Sequence, residues 1–238
     1  MARHLIRSGR MDSILGALSL FRLARAARPF ATALILVGAL GCRRTLAEPL
    51  PVYQDAFLHP HRLAEFAQTP DAVHRIAAFT LTDQNGSPVT AAQLHGHIHV
   101  AQFFFARCRT MCPPMFAAMS QVRAAYPADP AVQLVSFTLT PDADSVAALK
   151  RLATTRHLPE RGWALLTGDH DAIRTLATTS YFVSLGGEGD ATQHAGNLVL
   201  VDAALRVRGV YAVTRASETE RLIADIARLK DESASSVR

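Results

Sequence analysis

"IHVAQFFFARCRTMCPPMF", residues Ile98–Phe116, decides how this 238-residue chain is built. Ile98 to Phe105 is a nearly continuous apolar run, the pattern of a strand buried on both faces. Two cysteines four positions apart follow at once. A double proline then opens a run with helical spacing, with Phe116, Met119, Val122 and Tyr126 on one side. The prolines predict a helix over Met115–Tyr126 that starts only after Cys112, because a residue before proline avoids the helical region. Carboxyl ends of strands and amino ends of helices are where open α/β sheets place ligands. Amide dipoles there stabilise a thiolate, and Arg107 and Arg109 add positive charge beside Cys108. On these residues alone Cys108 and Cys112 are a structural disulfide, a redox pair or half of a metal site. The structural bridge is the weakest of the three, since closing so short a loop removes little chain entropy.

Outward from this stretch the chain keeps to one plan. "IAAFTLTDQNGSPVT", Ile76–Thr90, predicts a hairpin turning at Asn85-Gly86, and Thr90 caps a brief helix through Leu94. Val132–Leu139 is a second central strand. Asp144 then caps a helix to about His157, with Val146, Leu149 and Leu152 as its buried stripe. Trp163–Gly168 is a short strand, and Asp169 opens a helix through Ala177. "NLVLVDAALRVRGVYAV" is a strand, a turn at Asp202-Ala203 and a returning strand, before a last helix with Leu222, Ile226 and Leu229 on one side. Strands and helices alternating, with an antiparallel hairpin at the end, make an α/β domain. We bound it at residues 75–230, with a Pro-containing tether over 43–74 and a disordered tail over 231–238. No dinucleotide or nucleotide phosphate loop occurs.

The charge is unevenly spread. Eight of the 25 basic residues precede Thr45, against the single acid Asp12; the remainder holds 17 basic and 19 acidic residues. No polybasic run remains for nucleic acid, which is excluded as a partner. Arg22, Arg25 and Arg28 stand before the uncharged "PFATALILVGALGC", Pro29–Cys42. Fourteen helical residues span about 21 Å, short of a hydrocarbon core of about 30 Å. A basic region followed by a short apolar one is an export signal. "VGALGC" resembles a bacterial lipoprotein box, which makes residues 1–42 the leader and Cys42 the lipidated residue. An uncleaved signal anchor and cleavage after Ala47 are the alternatives. If Cys42 is lipidated or removed, Cys108 and Cys112 can pair only with each other or with a ligand.

Five stretches in order, "FTLTDQNGSPVT", "FFFARCRTMCP", "VSFTLTPDAD", "WALLTG" and "HAGNLVLVD", resemble the Sco/SenC family over Phe79–Val213. These are thioredoxin-like copper-binding proteins of respiratory oxidase assembly. The resemblance implies a thioredoxin-like mixed sheet flanked by helices with an added N-terminal β-hairpin. It implies a metal set of Cys108, Cys112 and His194, with copper bound as Cu(I) and in a second state as Cu(II). Two soft thiolates and an imidazole suit Cu(I), which tolerates three-coordination. The implied role is a metallochaperone without turnover, tethered in the bacterial cell envelope and facing the periplasm or outside. Its implied partners are a copper-accepting oxidase subunit, other copper chaperones and thioredoxin-like reductants.

The sequence departs from the family pattern at Thr140, where aspartate is common, at Arg109, where proline is frequent, and at the added Pro114. Asp190 is the nearest acid before His194. These changes bear on copper affinity and docking rather than on the fold. Three rival functions stand beside the chaperone: a thiol-disulfide oxidoreductase using Cys108 and Cys112 as its redox pair, a redox or copper sensor, and a degenerate module that keeps the fold and interacts without metal. His95, His97 and His99 alternate and would share one face if extended, which we read as a solvated strand edge. Trp163 is read as packing.

Overall fold

The computed structural model describes residues 48–185 and 196–235. Cys42, Ala47, Asp190 and His194 lie outside them. At the centre is β5 (Ile98–Phe104), all seven residues of which are buried. It pairs in parallel with β6 (Val132–Thr138) and antiparallel with β8 (Asn197–Val201). β7 (Trp163–Thr167) continues the sheet in parallel beyond β6. One edge is β9 (Val207–Ala212), antiparallel to β8; the other is the hairpin of β3 (Thr80–Asp83) and β4 (Pro88–Thr90), with β3 antiparallel to β7. The order is β4-β3-β7-β6-β5-β8-β9. Gly86, at φ 82°, supplies the left-handed residue that the hairpin turn requires.

Alternation along β5 divides the core in two. Val100 and Phe104 face Met115, Phe116 and Met119 of α2 (Cys112–Ala125), Leu149 of α3 (Val146–Thr155), and Leu222, Ile226 and Leu229 of α5 (Ala216–Ser235). Ala101 and Phe103 face Phe137, Ile173 and Tyr181 beneath α4 (His170–Thr175) and the π-helical turn Leu176–Ser180. The short α1 (Ala91–Leu94) has the expected start, a reciprocal capping box between Thr90 and Gln93. The α/β plan and both hairpins are those expected from the sequence.

Four local expectations are corrected. The described part of the presumed tether is packed, with Leu50 and Val52 buried and β1 (Val52–Tyr53) paired with β2 (Pro60–His61). Its anchor is Arg208, whose guanidinium donates to the carbonyls of Leu50 at 2.5 Å and Pro51 at 2.9 Å and pairs with Asp202 and Glu232. Glu232 in turn accepts from the Leu50 amide at 2.7 Å. The same cluster extends α5 to Ser235, into the expected tail. α2 begins at Cys112 rather than Met115, because prolines are tolerated in a first turn whose N–H groups have no helical acceptor. Ser145, not Asp144, caps α3 by accepting from the Ala148 amide.

Arg208→Met removes the cation from this buried cluster and should cost about 3–5 kcal/mol in urea unfolding, the usual consequence of stranding a buried charge. A loss below about 1 kcal/mol would mean that the cluster is not what holds residues 48–53 down.

Candidate metal centre

The strand-to-helix handover brings the two cysteines to one place. The Cys108 amide donates to the Phe105 carbonyl at 3.0 Å, closing a turn directly after β5. Cys112 is the first residue of α2 and is 1% exposed, whereas Cys108 is half-buried in the loop. The Phe105 amide donates to Cys112 Sγ at 3.5 Å, and Cys108 Sγ lies 3.7 Å from the Thr110 hydroxyl. Both cysteines are thiols.

Their surroundings drive the two sulfurs apart in acidity. Burial opposes ionisation of Cys108, but the amides of Cys112 and Thr110 and the side chains of both residues bond its sulfur and bring it down to about 7. Cys112 is pushed up to about 12, first by burial and then by sharing its proton with Cys108; the Phe105 amide opposes this only in part. The lowering of Cys108 therefore comes from hydrogen bonds at the mouth of α2. The amides act as expected from the strand-to-helix setting, whereas Arg107 and Arg109, expected to add to them, are exposed. The cation that favours the Cys112 thiolate is Arg156, which follows α3 and stacks 4.3 Å above the Phe116 ring. The result is one accessible sulfur ready to react and one buried sulfur that keeps its proton until a metal or a disulfide displaces it.

Two residues beside the site were misread or missed. Asp144, expected as a helix cap, is turned inward, and its Oδ2 accepts from the hydroxyls of Thr138 and Thr140 and from the Ala106 amide. Arg156 is 44 positions from Cys112, and no local pattern marks it. Met111 packs its thioether over Gly196: a Cβ at that glycine would lie 2.2 Å from the sulfur. The cysteine loop and the start of β8 thus meet in the space that a side chain at residue 196 would share with Met111.

His95, His97 and His99 do not share a face. Gly96, at φ 88°, breaks the extended run; His95 is exposed, and His97 bonds the Pro130 carbonyl at 3.0 Å. His99 is fully buried in β5, 3.0 Å from the Tyr181 hydroxyl, and burial holds it neutral with a pKa of about 3. Trp163 is packing, as expected, with Nε1 donating to Ser136 at 2.9 Å. A cavity of about 450 Å³ lies among Tyr53, His61, Arg62, Arg208 and Arg221, and neither cysteine lines it.

The asymmetry predicts selective alkylation. In the reduced protein iodoacetamide should label Cys108 with a half-maximal rate near pH 7, while Cys112 stays unlabelled below about pH 9 until the chain is unfolded. Equal labelling of both at pH 7 would contradict the division of roles.

With this geometry in hand, comparison with known proteins is informative. The SCO1/SenC profile matches residues 67–231. The chain is similar to BsSco, described as a member of the Sco family of cytochrome c oxidase assembly proteins with a disulfide switch, at 28% identity and a TM-score of 0.60, covering 66% of this chain and 94% of that one. It is similar to a SCO1/SenC family lipoprotein of Bacillus anthracis at 29% identity and a TM-score of 0.60, over 66% and 95% of the two chains. Copper-bound ScoI of Bradyrhizobium japonicum is 27% identical with a TM-score of 0.52, over 65% and 97%. The thioredoxin-like mixed sheet flanked by helices is common to them. Fold and sequence profile agree, and the chain belongs to the SCO1/SenC family.

Proposed function

We propose that the protein is an exported, membrane-tethered copper carrier that helps to metallate a respiratory oxidase, holding its cargo through Cys108, Cys112 and His194. The observation that carries this reading is the cysteine pair itself, two soft donors at the mouth of α2 with an accessible face at Cys108. Such donors suit Cu(I) over harder cations. Among the described residues no three His, Cys, Asp or Glu side chains gather, and a third donor of these types is sought outside them. His194 meets that need: it stands two residues before Gly196, at most about 7 Å of chain away, and Gly196 is packed against Met111 of the cysteine loop. The copper-bound relative and the oxidase-assembly relative support the same cargo and destination.

A second reading, thiol-disulfide exchange with exported clients, is favoured by one feature, the pairing of an acidic accessible Cys108 with a buried Cys112 that keeps its proton. Copper uptake separates the two. Reduced protein should take up about one Cu(I) per chain and oxidised protein essentially none in that bound form, because the disulfide consumes both thiolates. His194→Ala should retain dithiol exchange while its copper affinity falls at least 10-fold, since loss of a supporting hydrogen bond already costs about 10–100-fold. Unchanged affinity in that variant would leave the oxidoreductase standing.

Tethering is proposed through lipidated Cys42, on the strength of the leader pattern, with the lipoprotein relative in support. Cys42→Ser should lose lipid label and membrane association on fractionation. A variant that stays labelled and membrane-bound would refute the assignment.

A further inference from the structure

Asp144 is 2% exposed and has been released from helix capping by its neighbour Ser145. Its place is where β5 and β6 part. Phe104 and Thr138 are the last residues in register, and the Leu139 amide donates to the Phe104 carbonyl at 2.8 Å. Among the described residues the register between β5 and β6 ends with this pair. The Phe105 amide goes to Cys112 Sγ, and the next amide, that of Ala106, goes to Asp144 Oδ2 at 3.4 Å.

The carboxylate is aimed by its other two bonds. Thr140 donates its hydroxyl to the same oxygen at 2.9 Å, and Thr138 does so too. Thr138 Oγ1 accepts from the Thr140 amide at 3.1 Å, which leaves its own proton for Asp144. Bonds to a charged acceptor are stronger than neutral ones, and a buried carboxylate held by three donors has one orientation.

We propose that Asp144 is a positioning residue for the cysteine pair. It accepts the Ala106 amide just past the end of the ladder, and through the turn from Phe105 to Cys108 holds the accessible sulfur over the mouth of α2. The chemistry at stake demands this accuracy: a disulfide needs its Cβ atoms about 3.5–4.5 Å apart, so a loop displaced by a fraction of that distance loses the bridge. The proposal rests on the reading above only in taking Cys108 and Cys112 as the working pair.

The test compares the full chain with Asp144→Ala and Asp144→Asn in equilibrium with glutathione. In this exchange the two thiols become one disulfide while one glutathione disulfide becomes two glutathiones. Asp144→Ala should move the equilibrium at least about 10-fold toward the dithiol and speed amide exchange at Ala106 by a similar factor, the size expected when a supporting shell is lost. Asp144→Asn, whose carbonyl oxygen has two lone pairs for these donors and no charge, should fall between wild type and Asp144→Ala on both. Should Asp144→Ala fail to fold, Thr140→Val removes one aiming hydroxyl and should move both readouts in the same direction. A folded Asp144→Ala or Thr140→Val protein with unchanged equilibrium and Ala106 exchange overturns the proposal. So does an Asn variant as defective as Ala, which would assign the effect to charge. Cu(I) uptake is measured alongside: a wild-type protein that binds none refutes the copper reading, while the glutathione comparison still decides the role of Asp144.

Discussion

Burial of β5 on both faces is the constraint from which the rest follows. A strand with no exposed residue can satisfy its backbone only through neighbours on each side, here β6 and β8. Where those neighbours end, the chain must leave the sheet within a residue or two, and it leaves at Phe105. The cysteines occupy the next few positions, so the core fixes where they stand before any property of sulfur is considered. Phe104 anchors the exit on one face and Phe103 on the other, and both are essentially inaccessible.

At that exit, hydrogen bonding outweighs charge. The flanking arginines reach into solvent, where their field is screened, whereas the amides of Thr110 and Cys112 touch the Cys108 sulfur directly. Burial works against ionisation at both cysteines, and the donors that each receives decide the outcome. Cys108 receives enough donors to overcome it, while at Cys112, which donates its thiol proton to Cys108 in a hydrogen bond, the Phe105 amide offsets it only in part. A pair so arranged presents a nucleophile to solvent and stores a second donor beneath it. Under the proposed function, cargo binding and disulfide formation would compete for the same electrons, tying the redox state of the pair to its capacity for metal.

The packed N-terminal segment shows a different use of buried polarity. Arg208 sits at the edge of the sheet with two carbonyls and two carboxylates around it, and these come from the segment before β1, from the turn after β8 and from the end of α5. Each group is costly to desolvate alone. Together they fasten residues 48–53 to the turn after β8 and to the end of α5.

The chain's own pattern determined the elements that depend on near neighbours: the apolar run of β5, the Asn85-Gly86 hairpin, the Thr90 capping box, the helical stripe of Leu222, Ile226 and Leu229, and the cysteines at a strand-to-helix handover. These are set by periodicity and by local backbone preferences, which a sequence displays directly. The resemblance through "HAGNLVLVD" pointed to His194, which lies outside the described residues. What only the tertiary structure decided involves partners far apart in sequence. Asp144 and Ser145 are equally good caps on paper, and the donors at Thr138, Thr140 and Ala106 decide which one turns inward. Alternating histidines read as one face until Gly96 breaks the strand and His99 enters the core. Leu50 and Val52 look like linker residues until Arg208, more than 150 positions on, takes their carbonyl neighbours. In each case the free energy lies in contacts between segments, and a linear pattern carries no record of which segments will meet.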